Sequence, residues 1–150
     1  MKLSAGILLY KKLPFRMFLV HPGGPLWAKK DEGVWSIPKG EYNEGDDPTA
    51  AAIREFTEET GTIPVGDLIP LGSVNQSKAK RVTAFALEGD IDPVKLVSNK
   101  FTMEWPRGSG KIQEFPEIDR GEWFTLPVVI HKILPGQRPL IEKLASIVFP

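Results

Sequence analysis

Between residues 47 and 61 the apolar pattern changes from strand-like runs to a helical period, and both ends of the change are punctuated. Asp47 suits an N-cap, Pro48 the first helical position, and Gly61 the place just past the end. Elsewhere 14 Gly and 14 Pro among 150 residues cut the chain into short pieces. Proline stands near twice its usual share of about 5%. One central helix among short strands restricts the architecture to an α/β or α+β sandwich. The length suits a single domain, residues 1–150.

Charge and composition narrow the chemistry. Lys+Arg and Asp+Glu number 19 each, whereas a long nucleic-acid footprint calls for an overall basic balance. A small, locally charged ligand is expected instead, and no long nucleic acid. Cysteine is absent, which removes disulfides, thiolate nucleophiles, thiolate zinc sites and iron–sulfur clusters together. With only His21 and His131 available, a bound metal is expected to be oxygen-held, as Mg²⁺ or Mn²⁺ are. The apolar run at 5–10 is far short of the ~18–20 residues a membrane span needs. It also lacks a cleavage site and runs into Lys11 and Lys12. The expectation is a cytoplasmic protein with no membrane partner, a monomer or homodimer.

Along the chain, residues 4–10 and 16–21 read as strands around a turn at 11–15, followed by a Gly/Pro loop from His21. Residues 34–37 read as a short strand that Pro38-Lys39-Gly40 breaks. Residues 71–75 and 81–87 read as strands flanking a polar loop at 76–80. A turn at 107–110 separates apolar runs at 101–105 and 111–115, another strand is expected at 122–125, and two short helices at 128–134 and 139–148 close the chain.

On the central helix, Glu55, Glu58 and Glu59 share one face, while Ile53, Phe56 and Thr60 share another, the expected core face. A solvated acidic face is the ordinary reading, but energetics argue against it. Glu55 repels Glu59 at i,i+4 and Glu58 at i,i+3, each pair costing about 0.2–0.5 kcal/mol. Glu58 and Glu59 also sit in the last turn, at the negative end of the helix dipole, which costs about 0.3–1 kcal/mol each. Arg54 precedes Glu58 in the weaker i,i+4 orientation. A cation docked on this face relieves both penalties, so the pattern points to a hard-metal site.

The segment from Gly40 to Thr62 resembles the Nudix box of the Nudix (MutT-like) hydrolases, G-x5-E-x7-R-E-U-x-E-E-x-G-U, where U is bulky and apolar. Gly40, Arg54, Glu55, Glu58, Glu59 and Gly61 match, and Phe56 fills the first U. Six such identities arise by chance on the order of once in 10⁵. Asp46 replaces the expected Glu and Thr62 the second U. The flanks agree: a WSIPKGE run leads in, and PEIDRGEWF resembles the family's late E-x5-W element.

The resemblance implies a Nudix-type α/β/α sandwich with a mixed central sheet and the box helix beside it. It implies metal-dependent hydrolysis within the phosphate chain of a nucleoside diphosphate linked to a further group. Gly40 (through its carbonyl), Glu55, Glu58 and Glu59 are then the expected ligands of Mg²⁺ or Mn²⁺, with Arg54 orienting the carboxylates. Glu58 is one candidate base; Glu114 and Glu117 are the late-loop alternatives, and Glu117 has the late element's spacing from Trp123. Lys39 beside the metal loop and the cluster Lys78, Lys80 and Arg81 are candidate phosphate contacts. Trp27, Trp35 and Trp105 are candidate base-stacking residues, although Trp35, between Val34 and Ser36, suits a core equally well.

The preferred substrate class is a nucleoside triphosphate or dinucleoside polyphosphate. The isopentenyl diphosphate isomerase variant of the fold relies on a cysteine that this chain lacks. A non-catalytic nucleotide sensor and an RNA 5′-end pyrophosphohydrolase are the remaining alternatives; sensors tend to lose box glutamates, and all three are present here.

Overall fold

The computed structural model describes all of residues 1–150. The first apolar run forms β1 (Lys2–Lys12), which turns at Leu13–Pro14 into β2 (Phe15–Pro22). Strand β1 is buried on both faces, which is why it reads as a continuous apolar run rather than an alternation. Its odd residues Ala5, Ile7 and Leu9 pack with Phe56, Phe85 and Phe18, and its even residues Leu8 and Tyr10 pack with Met17, Leu140 and Leu144. Two cores on opposite faces of one sheet give the expected sandwich.

The remaining strands are β3 (Lys39–Tyr42), β4 (Ile69–Ser77), β5 (Lys80–Glu88), β6 (Lys100–Glu104), β7 (Ile112–Pro116) and β8 (Ile118–Phe124). The main sheet runs β4-β5-β1-β2-β8, with β3 also on β1. It is mixed: β5 lies parallel to β1, and the other pairings are antiparallel. One edge of β1 is shared. Tyr10–Lys12 pair with β2, while Leu3–Gly6 pair with β3. Strand β2 therefore splays from β1, and a cleft opens where it departs.

Helix α1 (Pro48–Thr60) covers one face of the sheet; α2 (Leu126–Lys132) and α3 (Arg138–Val148) cover the other. The caps of α1 are those expected. Asp47 accepts from the Thr49 N–H at 3.0 Å, and Gly61 takes the left-handed conformation at φ 78°. Its buried face is Ala52, Phe56 and Thr60 together with Ala51, so Ile53 stands outside it, 36% exposed. Small alanines let the helix sit close to β1, and that rotates Ile53 outward.

Two strand expectations are corrected. Residues 34–37 form only isolated bridges, Val20↔Ser36 and Trp35↔Ile133, and the strand starts at Lys39 instead. Pro38 cannot donate to a ladder, but its carbonyl accepts from the Ile7 N–H at 3.1 Å, so it introduces β3 rather than ending a strand. The polar loop expected at 76–80 shrinks to Lys78–Ala79 between β4 and β5. The 101–115 hairpin forms, but as a separate two-stranded sheet. No helix is long and apolar enough to cross a membrane.

Trp35 is core, 1% exposed, with Phe124 edge-on at 5.0 Å and His21 at 5.1 Å. Its indole N–H donates to Asp31 at 2.8 Å. The Trp35→Ala variant is expected to lose about 3–5 kcal/mol of stability, read as a lower denaturant midpoint with an unchanged slope.

Candidate functional site

Helix α1 delivers its carboxylates to the mouth of the cleft beside β3. The Gly40 backbone pairs with Ala5 of β1 and lies directly under Glu55: a Cβ at this position would stand 2.0 Å from the Glu55 carboxyl carbon. Only glycine lets strand and carboxylate approach so closely. Glu59 Oε1 accepts from the Lys39 backbone N–H at 3.2 Å, which ties the helix to the same strand. Arg54 reaches Glu55 at 3.5 Å and the Glu41 carbonyl at 3.4 Å, so it braces Glu55 from outside the cleft.

The fourth carboxylate arrives from the β7–β8 junction. The Glu117 carbonyl accepts from Gly23 N–H and its N–H donates to the Asn99 carbonyl, each at 2.8 Å. Asn99 in turn donates to the Glu58 carbonyl at 2.9 Å, which locks this junction to the last turn of α1. Gly23 is needed for the close packing, since a Cβ there would lie 1.9 Å from the Pro116 carbonyl oxygen. Glu114 stays outside, on β7, paired with Lys100 at 3.4 Å.

Charge crowding is visible at each group. Burial pushes the Glu59 carboxyl up to about 8, against the opposing pull of Lys39. Burial also raises Glu55, with the Glu58 charge adding to it. Glu117 is raised by burial first and by Glu58 second. Lys39 is lowered, by burial and then by the nearby charge of Lys80. No three acidic or imidazole groups converge tightly enough to define a cation position by themselves. The donor set nonetheless fits a hard divalent cation. Its carboxylates are held at a cost in ionisation, and the glycine backbone lets one of them, Glu55, lie directly against the strand.

Behind Glu59 and Glu117 the cleft continues as a cavity of about 330 Å³, lined by Lys39, Lys80, Gln76, Trp27, Val34 and Leu134 among others. The volume lies within the usual range for small-ligand sites. Two candidate substrate contacts are corrected. Trp35 is sealed in the core with no ring face free for a base, and Trp27, 39% exposed, is the indole at this cavity. Arg81 leaves the cluster with Lys80, because consecutive strand residues point to opposite faces. It donates to Asn75 at 3.3 Å and lines a separate open cavity with Glu41 and Tyr42. His21 is buried between Asp119 at 2.8 Å and the Lys30 carbonyl at 2.6 Å, where it anchors the loop that carries Trp27.

The Gly40→Ala variant is expected to displace Glu55 and to lower activity about 10–100-fold. The fold should persist, since the new Cβ meets the end of the flexible Glu55 side chain, which can move aside. Catalytic rate and melting temperature measured on the same preparation check this.

A family model described as "NUDIX domain" matches residues 2–144. Among curated proteins, an RNA pyrophosphohydrolase of Brucella anthropi is 27% identical, over 91% of this chain and 90% of that protein. A solved Ap4A hydrolase of C. elegans superposes with a TM-score of 0.64 at 22% identity, covering 99% of this chain and 98% of that one. The NUDIX domain of Shewanella oneidensis NrtR, solved with ADP ribose, superposes at 0.63 with 14% identity, covering 97% and 87%.

Proposed function

Because the chain belongs to the Nudix family, we propose that it is a divalent-metal-dependent pyrophosphohydrolase of nucleotides. It is a hydrolase of phosphorus-containing acid anhydrides, and its substrate is a nucleoside triphosphate or dinucleoside polyphosphate. One observation carries this reading: four carboxylates and two lysines of opposite duty share one cleft. Glu59, Glu117, Lys39 and Lys80 line it, and Glu55 and Glu58 stand close enough for their charges to act on each other and on Glu117.

Glu55, Glu58 and Glu59, with the Gly40 carbonyl, would hold the cation, Mg²⁺ or Mn²⁺. Bound there, a divalent cation would supply charge neutralisation for the phosphate oxygens and polarisation of the anhydride. Lys39 and Lys80 bind the rest of the phosphate chain. Glu117 takes the proton from the attacking water. Burial and the neighbouring Glu58 charge make its carboxylate more basic than an exposed one, which suits it to that task near neutral pH. Arg54 keeps Glu55 oriented. Trp27 offers an aromatic wall to the base.

A second reading, removal of pyrophosphate from RNA 5′ ends, draws on the name of the Brucella anthropi relative. The even charge balance, 19 against 19, gives no added support for gripping a long strand. A panel of nucleoside triphosphates, dinucleoside polyphosphates and a 5′-triphosphorylated oligonucleotide, with and without Mg²⁺ or Mn²⁺, separates the readings by product identity. The expected result is metal-dependent cleavage of the small nucleotides. Binding without cleavage across the panel would instead make the chain a sensor.

A further inference from the structure

The Gln137 side chain has no exposed surface, and its partners dictate every hydrogen bond it makes. The Ile37 backbone N–H can only donate, so the atom 3.1 Å from it is Gln137 Oε1. Gln137 Nε2 then donates to Ser36 Oγ and to Gln76 Oε1, each at 2.9 Å. Ser36 accepts because its own hydroxyl proton goes to the Ile37 carbonyl at 2.7 Å. Gly136 permits the close packing, since a Cβ on it would lie 2.2 Å from the Gln76 carbonyl oxygen. The polarity of Gln76 follows. Its Oε1 is held by Gln137, its Nε2 is the free end, and the residue lines the cavity that contains Lys39, Lys80 and Glu59.

We infer that Gln76 is a substrate-binding residue, a hydrogen-bond donor of fixed polarity that meets an unprotonated oxygen of the nucleotide, and that Gln137 is the positioning residue that fixes it. The inference rests on the pyrophosphohydrolase reading and deepens it. A free glutamine amide rotates to suit donor or acceptor, whereas one clamped at Oε1 rejects a donor at the same place. The oxygen belongs either to the phosphate chain, drawn in by Lys39 and Lys80, or to a carbonyl of the base beside Trp27.

The test compares ATP, GTP, CTP and UTP with Mg²⁺, by kcat/KM, and their α,β-methylene analogues, by Kd. It uses the wild type, Gln76→Ala, Gln137→Met and the double variant. Gln76→Ala is expected to lose about tenfold in both quantities. An equal loss for all four bases assigns the oxygen to phosphate. A loss confined to GTP and UTP, which carry a carbonyl where ATP and CTP carry an amino group, assigns it to the base. Gln137→Met frees Gln76 to rotate and is expected to show a similar loss, with the double variant no worse than either single one. A purely structural role would give additive losses, and that result overturns the positioning role. Should Gln137→Met fail to fold, Gln76→Ala alone decides the contact. Gln76→Ala within twofold of wild type for every nucleotide overturns the inference. A wild type that binds the analogues yet hydrolyses nothing sinks the hydrolase reading alone, because the Kd values still judge Gln76.

Discussion

Replacing Glu58 with glutamine is expected to cut kcat by about a thousandfold while leaving the fold intact. The Glu58 side chain makes no hydrogen bond within the chain, while its backbone carbonyl accepts from the Asn99 N–H at 2.9 Å. The amide keeps the shape of the carboxylate and removes its charge, and two functions go with the charge. The cation loses an anionic ligand at the last turn of α1. Glu117 also loses the neighbouring charge that helps keep it basic, since Glu58 raises both Glu117 and Glu55. Without metal, the variant should melt no lower than wild type, because a like-charge pair at i,i+3 worth about 0.2–0.5 kcal/mol has been relieved. Glu117→Gln should cost less, about a hundredfold, and should abolish the acidic limb of the kcat profile that Glu117 protonation produces. Turnover that survives both Glu58→Gln and Glu59→Gln would refute the placement of the site.

That split between catalysis and stability explains what the sequence disclosed. The helix was legible because its caps and its carboxylate spacing are local, and because three glutamates on one face contradict what a solvated helix would choose. The sandwich followed from one helix among short apolar runs. Other features depend on tertiary partners that no window of sequence contains. Trp35 and Trp27 sit on the same loop-rich stretch, and only the packing of Phe124 and His21 buries the former and leaves the latter at the cavity. Lys80 and Arg81 are adjacent, yet the start of β5 at Lys80 sends them to different cavities. The strand at 39–42 was hidden because Pro38 looks like a terminator, and its role as an acceptor for Ile7 spans the fold. Gln76 and Gln137 gave no signal at all: they lie 61 residues apart, and their meaning comes from an amide held between Ser36–Ile37 on one side and β4 on the other.

Binding of Mg²⁺ is expected to tighten about a hundredfold between pH 6 and pH 8 and to level off above that. The cause is Glu59, whose carboxyl is pushed up to about 8 chiefly by burial, with Glu117 and Glu55 adding to it. Below that pH the cation must displace a proton, so each unit of falling pH costs about tenfold in apparent affinity. The same shift acts on the metal-free fold with a definite sign. Its folded value lies above the ordinary 4.5, so the protonated form favours the folded state. That stability is full below about pH 4.5 and is lost as the pH rises through 8. Metal-free protein should therefore melt at a lower temperature at pH 9 than at pH 5, and saturating Mg²⁺ should restore the difference at the higher pH. Titration calorimetry in two buffers of different ionisation enthalpy should record close to one proton released per cation near pH 7. Glu59→Gln removes the titrating group, so it should flatten both the affinity profile and the melting profile while weakening Mg²⁺ at pH 8. A wild-type affinity that does not change between pH 6 and pH 8 would place the cation away from Glu59 and return that carboxyl to a structural role beside Lys39.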